Sequence, residues 1–590
     1  MPVRVHYRKR PSFREPEFQT GRSSRPWRII YSLLSLLWLP ILVFLVPLIY
    51  YWPVLNSGFV SDDYFYHWVF NWTIRDYVQQ ISLISQGNLS YPFFRPIVFL
   101  SFQIDYLIWG ADSVGFHFTN LLIHSTNTIL LFYLARRLGL KEFGAAICAL
   151  FFALYPANPE VVTWISGRFD LMVTMFTLLA LHGWCTARIQ NDLRWMIPGL
   201  ICFILAMLSK ENGVAAFLLL PLIDWMLHLK TRREWGQGVG FLWKWYIVWF
   251  AVLFSYLGFR LWLFHGDLGG YKNASNETSL INFDIADIWD KLFTGDLWMM
   301  ITPVSRVLWP DWESWLQILL IAVGIASLLG LAAAIVHAVI LARKSDNSNL
   351  IRIVSGILWI FLLLLPVISI GKVQGSLDYS RFLYYPCMGL ALVIGTAVCI
   401  GWNSSRNLKY LTACLVVVFL VLSGFVLKRH NDTWIEAGVK AAYIAGVMDV
   451  ATAEVPEGTI LFVSNYPWLH KGAHCAPISF EGYVWYKYGT DRVDTYIVNW
   501  DPDEAADTWD NLGLNFNKPG VGFIWDPDTE TITVLPLFTP EPTVSDTLET
   551  YIGIEIPPQG DVTDNPPEPP ISVVGTENAV TEVEVLPEPV

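Results

Sequence analysis

The first apolar block of the chain, residues 29–52, reads IIYSLLSLLWLPILVFLVPLIYYW and contains no charged side chain. A helix of this length crosses the roughly 30 Å hydrocarbon core of a bilayer. The block is too long for the apolar part of a cleavable signal peptide, and no small-x-small cleavage site follows it. Further apolar blocks of about 20 residues recur along the chain. The sequence therefore predicts an all-α polytopic membrane protein.

The composition argues against an ordinary cytosolic enzyme. Hydrophobic residues make up 54% of the 590 residues and charged residues only 15%, whereas about a quarter of a typical soluble chain is charged. The seven cysteines are scattered, six of them in apolar blocks, and have no paired spacing. They therefore predict neither a metal site nor a disulfide framework.

The charges between the apolar blocks predict how the chain crosses the membrane. Basic clusters follow every second span on the side of the N-terminus, as the positive-inside rule requires, and only Lys428-Arg429 departs from it. The basic N-terminal segment, residues 1–28, is then cytoplasmic, and we do not expect it to bind nucleic acid. About eleven spans are predicted: 29–52, 116–135, 143–157, 169–187, 195–209, 213–229, 241–264, 316–342, 351–370, 382–402 and 408–427.

The opposite, extracytoplasmic face carries the long loops. Segments rich in aromatic and apolar side chains within them are typical of helices that lie in the membrane interface. After the last span, strand-like runs and a hairpin predict a small extracytoplasmic α/β domain, and a Pro-rich acidic tail predicts disorder. These regions are the loops 53–115 and 265–315, the interfacial segments Tyr77–Ser85, Phe94–Trp109 and Ile281–Met300, the domain 430–538 with strands Gly458–Ser464 and Asp494–Asn499 and hairpin Gly522–Val534, and the tail 539–590.

Charged side chains gather at the extracytoplasmic ends of the spans. Because charge facing lipid is costly, charges at these positions suggest a purpose, although ordinary solvated loop charges are the alternative. If the helices form a bundle, carboxylates and cations from five connections converge on one cavity, which would suit an anionic lipid substrate and a general base. The residues concerned are Asp62, Asp63, Glu160, Arg168, Asp170, Lys210, Glu211, Arg260, Lys372, Asp378 and Arg381.

The adjacent pair Asp62-Asp63 is the strongest candidate for chemistry. Two neighbouring carboxylates in a partly dehydrated cleft titrate as a unit, so one of them has a raised pKa. Such a carboxylate can accept a proton from an attacking hydroxyl group. Alternatively, the pair can hold a divalent cation through its oxygen atoms.

Several short motifs in one order make the chain resemble a known family. It is similar to the membrane glycosyltransferases of the GT-C type, in particular to the dolichyl-phosphate-mannose-dependent O-mannosyltransferases whose membrane domain precedes TPR repeats, and to their bacterial relatives. It departs from them in having no TPR array and in carrying Asp-Asp where protein O-mannosyltransferases have Asp-Glu. The motifs are Phe94-Arg95-Pro96, Asp105-Tyr106, Gly115-Phe116-His117, Tyr155-Pro156, Glu160, Trp164-Ile165-Ser166-Gly167-Arg168, Asp170, Leu208-Ser209-Lys210-Glu211-Asn212-Gly213, Tyr256-Leu257-Gly258-Phe259-Arg260 and Ser380-Arg381-Phe382-Leu383-Tyr384-Tyr385-Pro386.

The resemblance implies a GT-C-like membrane domain over residues 29–429 and the transfer of a sugar, mannose-like by preference, from a polyprenyl-phosphate donor. A protein, lipid or glycan acceptor would react on the extracytoplasmic face with inversion. The resemblance implies no cofactor besides the lipid-linked donor, and a divalent cation held by Asp62 and Asp63 is the alternative. The implied roles are catalytic for Asp62, Asp63 and Glu160, donor-phosphate binding for Arg381, Arg260 and Lys210, and substrate orientation or support for Arg95, Arg168, Asp170 and Glu211.

Three alternatives remain open at this stage. Lys210 and Glu211 can form an ion pair with each other that shapes their turn. His117 and His124, seven residues apart, are expected to be packed or hydrogen-bonded rather than metal ligands. A lipid or glycolipid flippase would also have many spans, but the chain shows no inverted repeat.

The absence of TPR repeats and of an ER retrieval motif favours a bacterial plasma membrane.

Overall fold

The computed structural model describes most of the apolar part of the chain and segments of the C-terminal part. It covers residues 26–87, 93–231, 238–270, 289, 297–301, 304–343, 347–367, 377–452, 455, 459–464, 467–475, 493–498, 520–526, 529–538 and 552–554.

Helices dominate these described residues. Each of the eleven predicted spans coincides with a helix (α1, α4, α5, α7–α10 and α12–α15), while two further helices, α2 and α3, cover the predicted interfacial segments of the first loop. The helices are α1 Pro26–Tyr51, α2 Ile74–Ser85, α3 Pro96–Trp109, α4 Ser113–Arg137, α5 Glu142–Ala153, α6 Pro159–Val162, α7 Arg168–Gln190, α8 Met196–Ser209, α9 Ala216–Thr231, α10 Gly238–Leu263, α11 Leu297–Ile301, α12 Ser314–Arg343, α13 Ser348–Leu364, α14 Arg381–Trp402 and α15 Arg406–Thr452.

Six helical segments are long and apolar enough to cross a membrane by length and composition. The chain is therefore an integral membrane protein, and the total of eleven spans stays a prediction. Helix α12 shows the membrane character most clearly, since Trp315, Ile318 and Leu329 are all about two-thirds exposed, as expected of side chains that face lipid. The six segments are Trp38–Asn56, Ile165–Gln190, Lys244–Leu263, Ser314–Arg343, Arg381–Trp402 and Arg406–Ala451.

The core of the bundle forms around α7 and α14, which are largely buried. Helix α14 approaches α13 closely where Gly356 and Gly389 face each other. A Cβ atom at Gly389 would lie 2.6 Å from the carbonyl oxygen of Gly356, so neither position has room for a side chain. This close approach fixes the position of α14 relative to α13. The first residue of α14 is Arg381.

The basic loops meet at one end of the bundle. Lys141 Nζ donates to Asn403 Oδ1 over 2.6 Å, and Arg352 Nε donates to the carbonyl oxygen of Leu138 over 2.9 Å. The candidate site residues lie in connections at the opposite ends of these helices. The structure thus separates the two groups of loops in the way that the charge pattern predicts.

The last predicted span ends at residue 427, but helix α15 continues to Thr452. The reason is that no proline interrupts this stretch and that an apolar face persists beyond the charged residues. Trp434 and Ala437 are buried against Trp164 and Trp312. The boundary predicted at residue 430 therefore falls inside a continuous helix.

The end of α15 packs against a five-stranded sheet. Its strands are β1 Thr459–Ser464, β4 Val493–Val498, β5 Gly520–Asp526, β6 Thr531–Phe538 and β7 Ile552–Ile554, in the order β4-β1-β5-β6-β7. Strand β1 pairs in parallel with β4 and β5, and the other neighbours are antiparallel. The predicted strands and hairpin coincide with β1, β4 and the β5–β6 pair.

Strand β7 lies in the tail for which disorder is predicted. Its three residues pair with the open edge of β6, which offers unpaired backbone groups to any extended segment. The other residues of the tail lie outside the described part of the chain.

A short hairpin precedes β4 and was not predicted from the sequence. Strands β2 Leu469–His470 and β3 Ala473–His474 are joined by Lys471 and Gly472. Both turn residues have positive φ, 50° and 89°, which is the signature of a tight two-residue hairpin turn. The turn sets the register, so that His474 lies opposite Leu469.

Candidate active site at one end of the helix bundle

Two groups of ionisable side chains lie next to each other at the end of the bundle away from the basic loops. We call the first the Glu160 cluster: Asp62, Glu160, Asp378, Arg381 and His474. We call the second the Glu211 cluster: Arg95, Asp170, Lys210, Glu211 and Arg260. Together they contain most of the residues for which the sequence predicts a role.

Glu160 is the centre of the first cluster. Its carboxylate is completely buried, contacts the Arg381 guanidinium, and accepts hydrogen bonds from the backbone N–H groups of Arg381 and Tyr379 over 2.5 and 3.2 Å. Ser380 Oγ donates a further bond over 3.2 Å. Burial opposes ionisation, but Arg381 and His474 together outweigh it and hold the pKa of Glu160 below its usual range. Glu160 therefore caps the N-terminus of α14 as an anion.

His474 joins this cluster from the hairpin. Its Nε2 atom lies 3.2 Å from Asp378 Oδ1 and 3.7 Å from Glu160 Oε1, and its ring stacks on Trp164 with centroids 4.5 Å apart. Although burial opposes protonation, the two carboxylates raise the pKa of His474 to about 9. The sequence analysis did not find His474, because the hairpin turn at Lys471-Gly472 and helix α15 bring it to Glu160 only in the folded chain.

The two adjacent aspartates have different environments. Asp63 is 2% exposed, and its carboxylate accepts hydrogen bonds from the backbone N–H groups of Ser166 and Val60 over 2.9 and 3.1 Å and from Ser166 Oγ over 2.6 Å. Burial nevertheless raises its pKa to about 7. These contacts tie the first long loop to the connection before α7.

Asp62 is half-buried, and within the described residues its carboxylate forms no hydrogen bond and no ion pair. Burial raises its pKa, while His474, Arg381 and Arg95 act in the opposite direction. Asp62 therefore lies within the electrostatic reach of both clusters and has a free carboxylate.

The Glu211 cluster contains two buried ion pairs. Arg95 binds Glu211 with two parallel hydrogen bonds, Nη2 to Oε1 over 2.6 Å and Nε to Oε2 over 3.0 Å. Although burial opposes ionisation, Arg95 lowers the pKa of Glu211 to about 2. Lys210 Nζ donates to both oxygens of Asp170 over 2.7 Å. The alternative in which Lys210 pairs with Glu211 is therefore wrong, because Glu211 pairs with Arg95 just before α3 and Lys210 pairs with Asp170 in α7.

Arg260 provides the unpaired donor of the second cluster. Its Nε atom donates to the carbonyl oxygen of Leu268 over 2.5 Å and its Nη1 atom to Tyr256 Oη over 3.1 Å. Its Nη2 atom is buried and has no hydrogen-bond partner among the described residues. A buried guanidinium nitrogen without an acceptor favours an anion at this position.

Phe382 joins the two clusters. Its ring centroid lies 5.3 Å from Lys210 Nζ and 5.0 Å from Arg381 Cζ. Cations of both clusters therefore contact the same aromatic ring, which holds them side by side without a shared carboxylate.

Arg168 lies apart from both clusters. Its buried guanidinium forms an ion pair with Asp105 over 2.5 Å and donates to Asn120 Oδ1 and the Phe116 carbonyl oxygen. It leaves α7 on another face from Asp170, as expected for residues two positions apart in a helix. Its contacts are those of a buried structural ion pair.

The two predicted non-ligand histidines are hydrogen-bonded within the bundle. His117 Nε2 lies 3.0 Å from Ser57 Oγ and 2.9 Å from the Gly58 carbonyl oxygen. His124 Nδ1 lies 2.8 Å from Tyr384 Oη. These contacts confirm the expectation of packed, hydrogen-bonded side chains.

One set of side chains in the described residues has the spacing of a metal site. Ligand atoms of Glu160, Asp378 and His474 lie within 4.8 Å of one another. The Arg381 guanidinium already contacts Glu160 and lies 3.9 Å from Asp378, so a bound cation would face a fixed positive charge. Two carboxylates facing Arg381 and an imidazolium form a balanced network, and the donor set therefore fits a cation poorly.

The pair Asp62-Asp63 likewise fits a cation poorly. Both carboxylate oxygens of Asp63 accept hydrogen bonds from N–H groups, which leaves Asp62 as the one carboxylate of the pair available to a ligand. The loop therefore does not offer two free carboxylates to a divalent cation.

The fold and these clusters define a polytopic helical membrane protein with a charged, largely dehydrated site at one end of its bundle. No family model matches the chain. Among curated proteins, it is 30% identical to Protein O-mannosyl-transferase TMTC4 of Homo sapiens over 23% of this chain and 22% of that protein. It is 32% identical to Protein O-mannosyl-transferase Tmtc1 of Drosophila melanogaster over 24% of this chain and 16% of that protein. It is 28% identical to Protein O-mannosyl-transferase tmtc2 of Xenopus laevis over 36% of this chain and 27% of that protein.

These relatives confirm the predicted resemblance to O-mannosyltransferases, and the matched region spans about a quarter of their length or less. Among solved structures, the chain is similar to ArnT from Cupriavidus metallidurans bound to undecaprenyl phosphate, with 14% identity and a TM-score of 0.40 over 86% of this chain and 94% of that one. It is also similar to the Archaeoglobus fulgidus oligosaccharyltransferase, with 12% identity and a TM-score of 0.47 over 83% and 70%.

Proposed function

We propose that the chain is a membrane glycosyltransferase that moves a mannose-like hexose from a polyprenyl phosphate to an acceptor hydroxyl group. The reaction takes place at the site formed by the Glu160 and Glu211 clusters, on the extracytoplasmic face of the membrane. The names of the curated relatives support mannosyl transfer to an oxygen atom. The loop charges support the orientation.

The observation that carries this proposal is the free carboxylate of Asp62 beside buried cations. A general base needs an unoccupied acceptor and a pKa closer to neutrality than that of a surface aspartate. Asp62 meets both conditions, because it lacks a partner among the described residues and because burial raises its pKa. Asp63 meets only the second, since Ser166 and Val60 occupy its oxygens.

The donor phosphate has a matching site in the Glu211 cluster. Arg260 Nη2 is a buried donor without an acceptor in the described chain, and a phosphate oxygen would satisfy it with a charge-assisted hydrogen bond. Lys210 and Arg381, both in contact with Phe382, supply further positive charge, and Arg381 also acts on Asp62. Their own carboxylate partners hold them in place rather than leaving them mobile.

The remaining predicted residues receive supporting roles. Arg95 and Glu211 hold the ion pair next to Arg260, Asp170 fixes Lys210, and Glu160 fixes Arg381. Arg168 and Asp105 stabilise the bundle behind the site.

The reaction is a single displacement. The acceptor oxygen attacks the anomeric carbon while its proton passes to Asp62, and the bond between the anomeric carbon and the phosphate oxygen breaks. The polyprenyl phosphate leaves with the bonding electron pair, and its negative charge is stabilised by the preorganised Arg260 guanidinium. Attack opposite to the leaving group inverts the anomeric configuration.

The experiment uses the full chain in nanodiscs with a radiolabelled polyprenyl-phosphate mannose and measures the release of polyprenyl phosphate. We expect Asp62→Asn to reduce kcat by roughly 10²- to 10⁴-fold, the range for loss of a general base. Donor binding should persist. The matched control is Asp432→Asn, which removes a half-exposed carboxylate at the same end whose ion pair in the described part of the chain is with Lys428.

Acidification should have the same effect as the substitution. Because the base must be ionised and burial raises the pKa of Asp62, wild-type activity should fall with decreasing pH before an ordinary aspartate would protonate. Equal release by wild type and Asp62→Asn would overturn the role of Asp62. Movement of the donor across the bilayer without turnover would replace the transferase by a flippase.

A further inference from the structure

The hairpin formed by β2 and β3 lies against the candidate active site although it follows the last membrane helix. Cys475 directly follows β3, and its N–H donates to the Trp468 carbonyl oxygen over 3.0 Å. The tight turn at Lys471-Gly472 and this hydrogen bond make residues 468–475 a compact unit. Two groups of that unit reach the reaction site.

The first contact is with the backbone beside Asp62. The N–H of Ser61 donates to the Cys475 carbonyl oxygen over 3.1 Å. Ser61 is fully buried and has a φ of 51°, a left-handed conformation that residues with a side chain seldom adopt. Such a conformation costs free energy and persists only where surrounding contacts impose it. The hairpin supplies one of those contacts directly before Asp62.

The second contact is that of His474 with the carboxylates of Asp378 and Glu160. The imidazole lies within ion-pair distance of Asp378 and Glu160 and packs beside Trp164 and Trp434, whose ring centroids are 4.5 and 6.1 Å away. Glu160 in turn binds Arg381. His474 therefore acts on the carboxylates that orient the Arg381 cation.

The hairpin is anchored on its other side to α15. His470 Nε2 lies 3.0 Å from Glu436 Oε2, and the Cys475 thiol lies 3.4 Å from the Ala437 carbonyl oxygen. Lys440 bonds His470 and also Glu530 next to β6. The position of the hairpin thus depends on α15 and on the sheet at the same time.

We propose that the hairpin Leu469–His474, with Cys475, is an integral part of the reaction site: it positions Asp62 through the Cys475–Ser61 hydrogen bond and the Glu160–Arg381 pair through His474. His474 is a positioning residue, since it contacts the carboxylates that hold the reacting groups and not the substrate itself. This inference rests on the proposed function for its kinetic part, and its structural part stands without it.

The test compares His474→Ala, the milder His474→Gln and the control His470→Ala in the full chain in nanodiscs. His470 is a matched control because it lies in the same hairpin but contacts Glu436 and Lys440. Hydrogen–deuterium exchange of the peptide covering residues 59–66 reports the Ser61 hydrogen bond. We expect His474→Ala to speed this exchange by about 10-fold, with smaller effects for His474→Gln and for His470→Ala, which loses only the outer anchor of the hairpin on Glu436 and Lys440.

The kinetic readout separates positioning from donor binding. With radiolabelled polyprenyl-phosphate mannose, His474→Ala should lower kcat by roughly 10- to 100-fold, the loss of one charge-assisted contact, while donor KM changes by less than about 2-fold. A purely structural role would lower the amount of folded protein and leave kcat per folded molecule unchanged. That result would overturn the proposal.

The two arms also distinguish the failure of this inference from that of the proposed function. If wild type turns over no donor but His474→Ala still speeds exchange at residues 59–66, the positioning role holds and the transferase proposal fails. If wild type is active and neither exchange nor kcat responds to His474→Ala, the hairpin is a bystander. If His470→Ala changes both as much as His474→Ala does, the assigned contact is wrong.

Discussion

Asp62 and Asp63 show how far apart two neighbouring residues of one type can be in their roles. Successive side chains in the short 3₁₀ helix Ser61–Val69 point in different directions. The carboxylate of Asp63 therefore accepts hydrogen bonds from the backbone of Ser166 and Val60. The carboxylate of Asp62 lies near the cations instead. The first holds the loop in place, and the second stays available.

Alanine substitutions of this pair should separate stability from activity. Asp63→Ala leaves the buried donors of Ser166 and Val60 without an acceptor, and we expect it to lower the free energy of unfolding by roughly 1–3 kcal/mol. Asp62→Ala should change stability much less, since its half-buried carboxylate bonds no described residue. Thermal unfolding of both variants in the same detergent gives the comparison. Equal losses would contradict the division of roles.

The sequence predicted the position of the aspartate pair but not which member is free. Adjacent charges near the end of a span indicate a site, whereas the choice between them depends on Ser166, about a hundred residues later in the chain. His474 was beyond prediction for the same reason. It reaches Glu160 only because α15 and the hairpin turn bring it there.

At the scale of elements, the crossing of α13 and α14 holds the cations of the site. Gly356 and Gly389 allow the two backbones to approach closely, and small residues at such crossings are typical of membrane helices. Helix α14 starts at Arg381 and carries Phe382, which contacts both clusters. The glycines therefore matter to the site although they lie away from it.

Gly389→Ala should disturb this crossing. The added methyl group would lie 2.6 Å from the Gly356 carbonyl oxygen, and we expect it to cost about 1–3 kcal/mol of stability through overpacking. The control is Gly324→Ala in α12, where nothing in the described structure lies within 4 Å of the new methyl group. That variant should be neutral or slightly stabilising, as alanine usually is in a helix. Similar unfolding curves for both variants would show that the crossing tolerates a wider spacing.

The elements themselves were largely predictable, because apolar blocks bounded by charge indicate membrane helices without any knowledge of tertiary contacts. The last block was the exception. Its apolar part ends at residue 427, but buried side chains such as Trp434 and Ala437 extend α15 by packing it on Trp164 and Trp312. Such packing is not visible in a local hydropathy pattern.

For the whole molecule, the candidate site is assembled from the first loop, the connections at one end of the bundle and the region after the last helix. A chain shortened after Thr452 loses the hairpin and with it His474 and the Cys475 carbonyl group. We expect this truncation to abolish the release of polyprenyl phosphate while the membrane helices still insert. The measurement combines the release assay with detection of the truncated chain in purified membranes.

The control truncation ends after Phe538. It removes β7 and the acidic tail but keeps the hairpin and strands β5 and β6. Release should stay within about 3-fold of wild type, because the contacts of His474 and Cys475 are all retained. An active chain that ends at Thr452 would show that the membrane helices alone complete the site.

Helix α15 has 47 residues in one piece and is therefore about 70 Å long, more than twice the thickness of the hydrocarbon core. It extends from the bundle to the sheet, so one continuous helix connects the two. Each residue added between Leu427 and Trp434 would turn the sheet by about 100° and lift it by about 1.5 Å. The rotation of the sheet about the axis of α15 therefore determines whether His474 can contact Glu160. The number of residues between the membrane and Trp434 is thus as much a determinant of the site as any side chain in it.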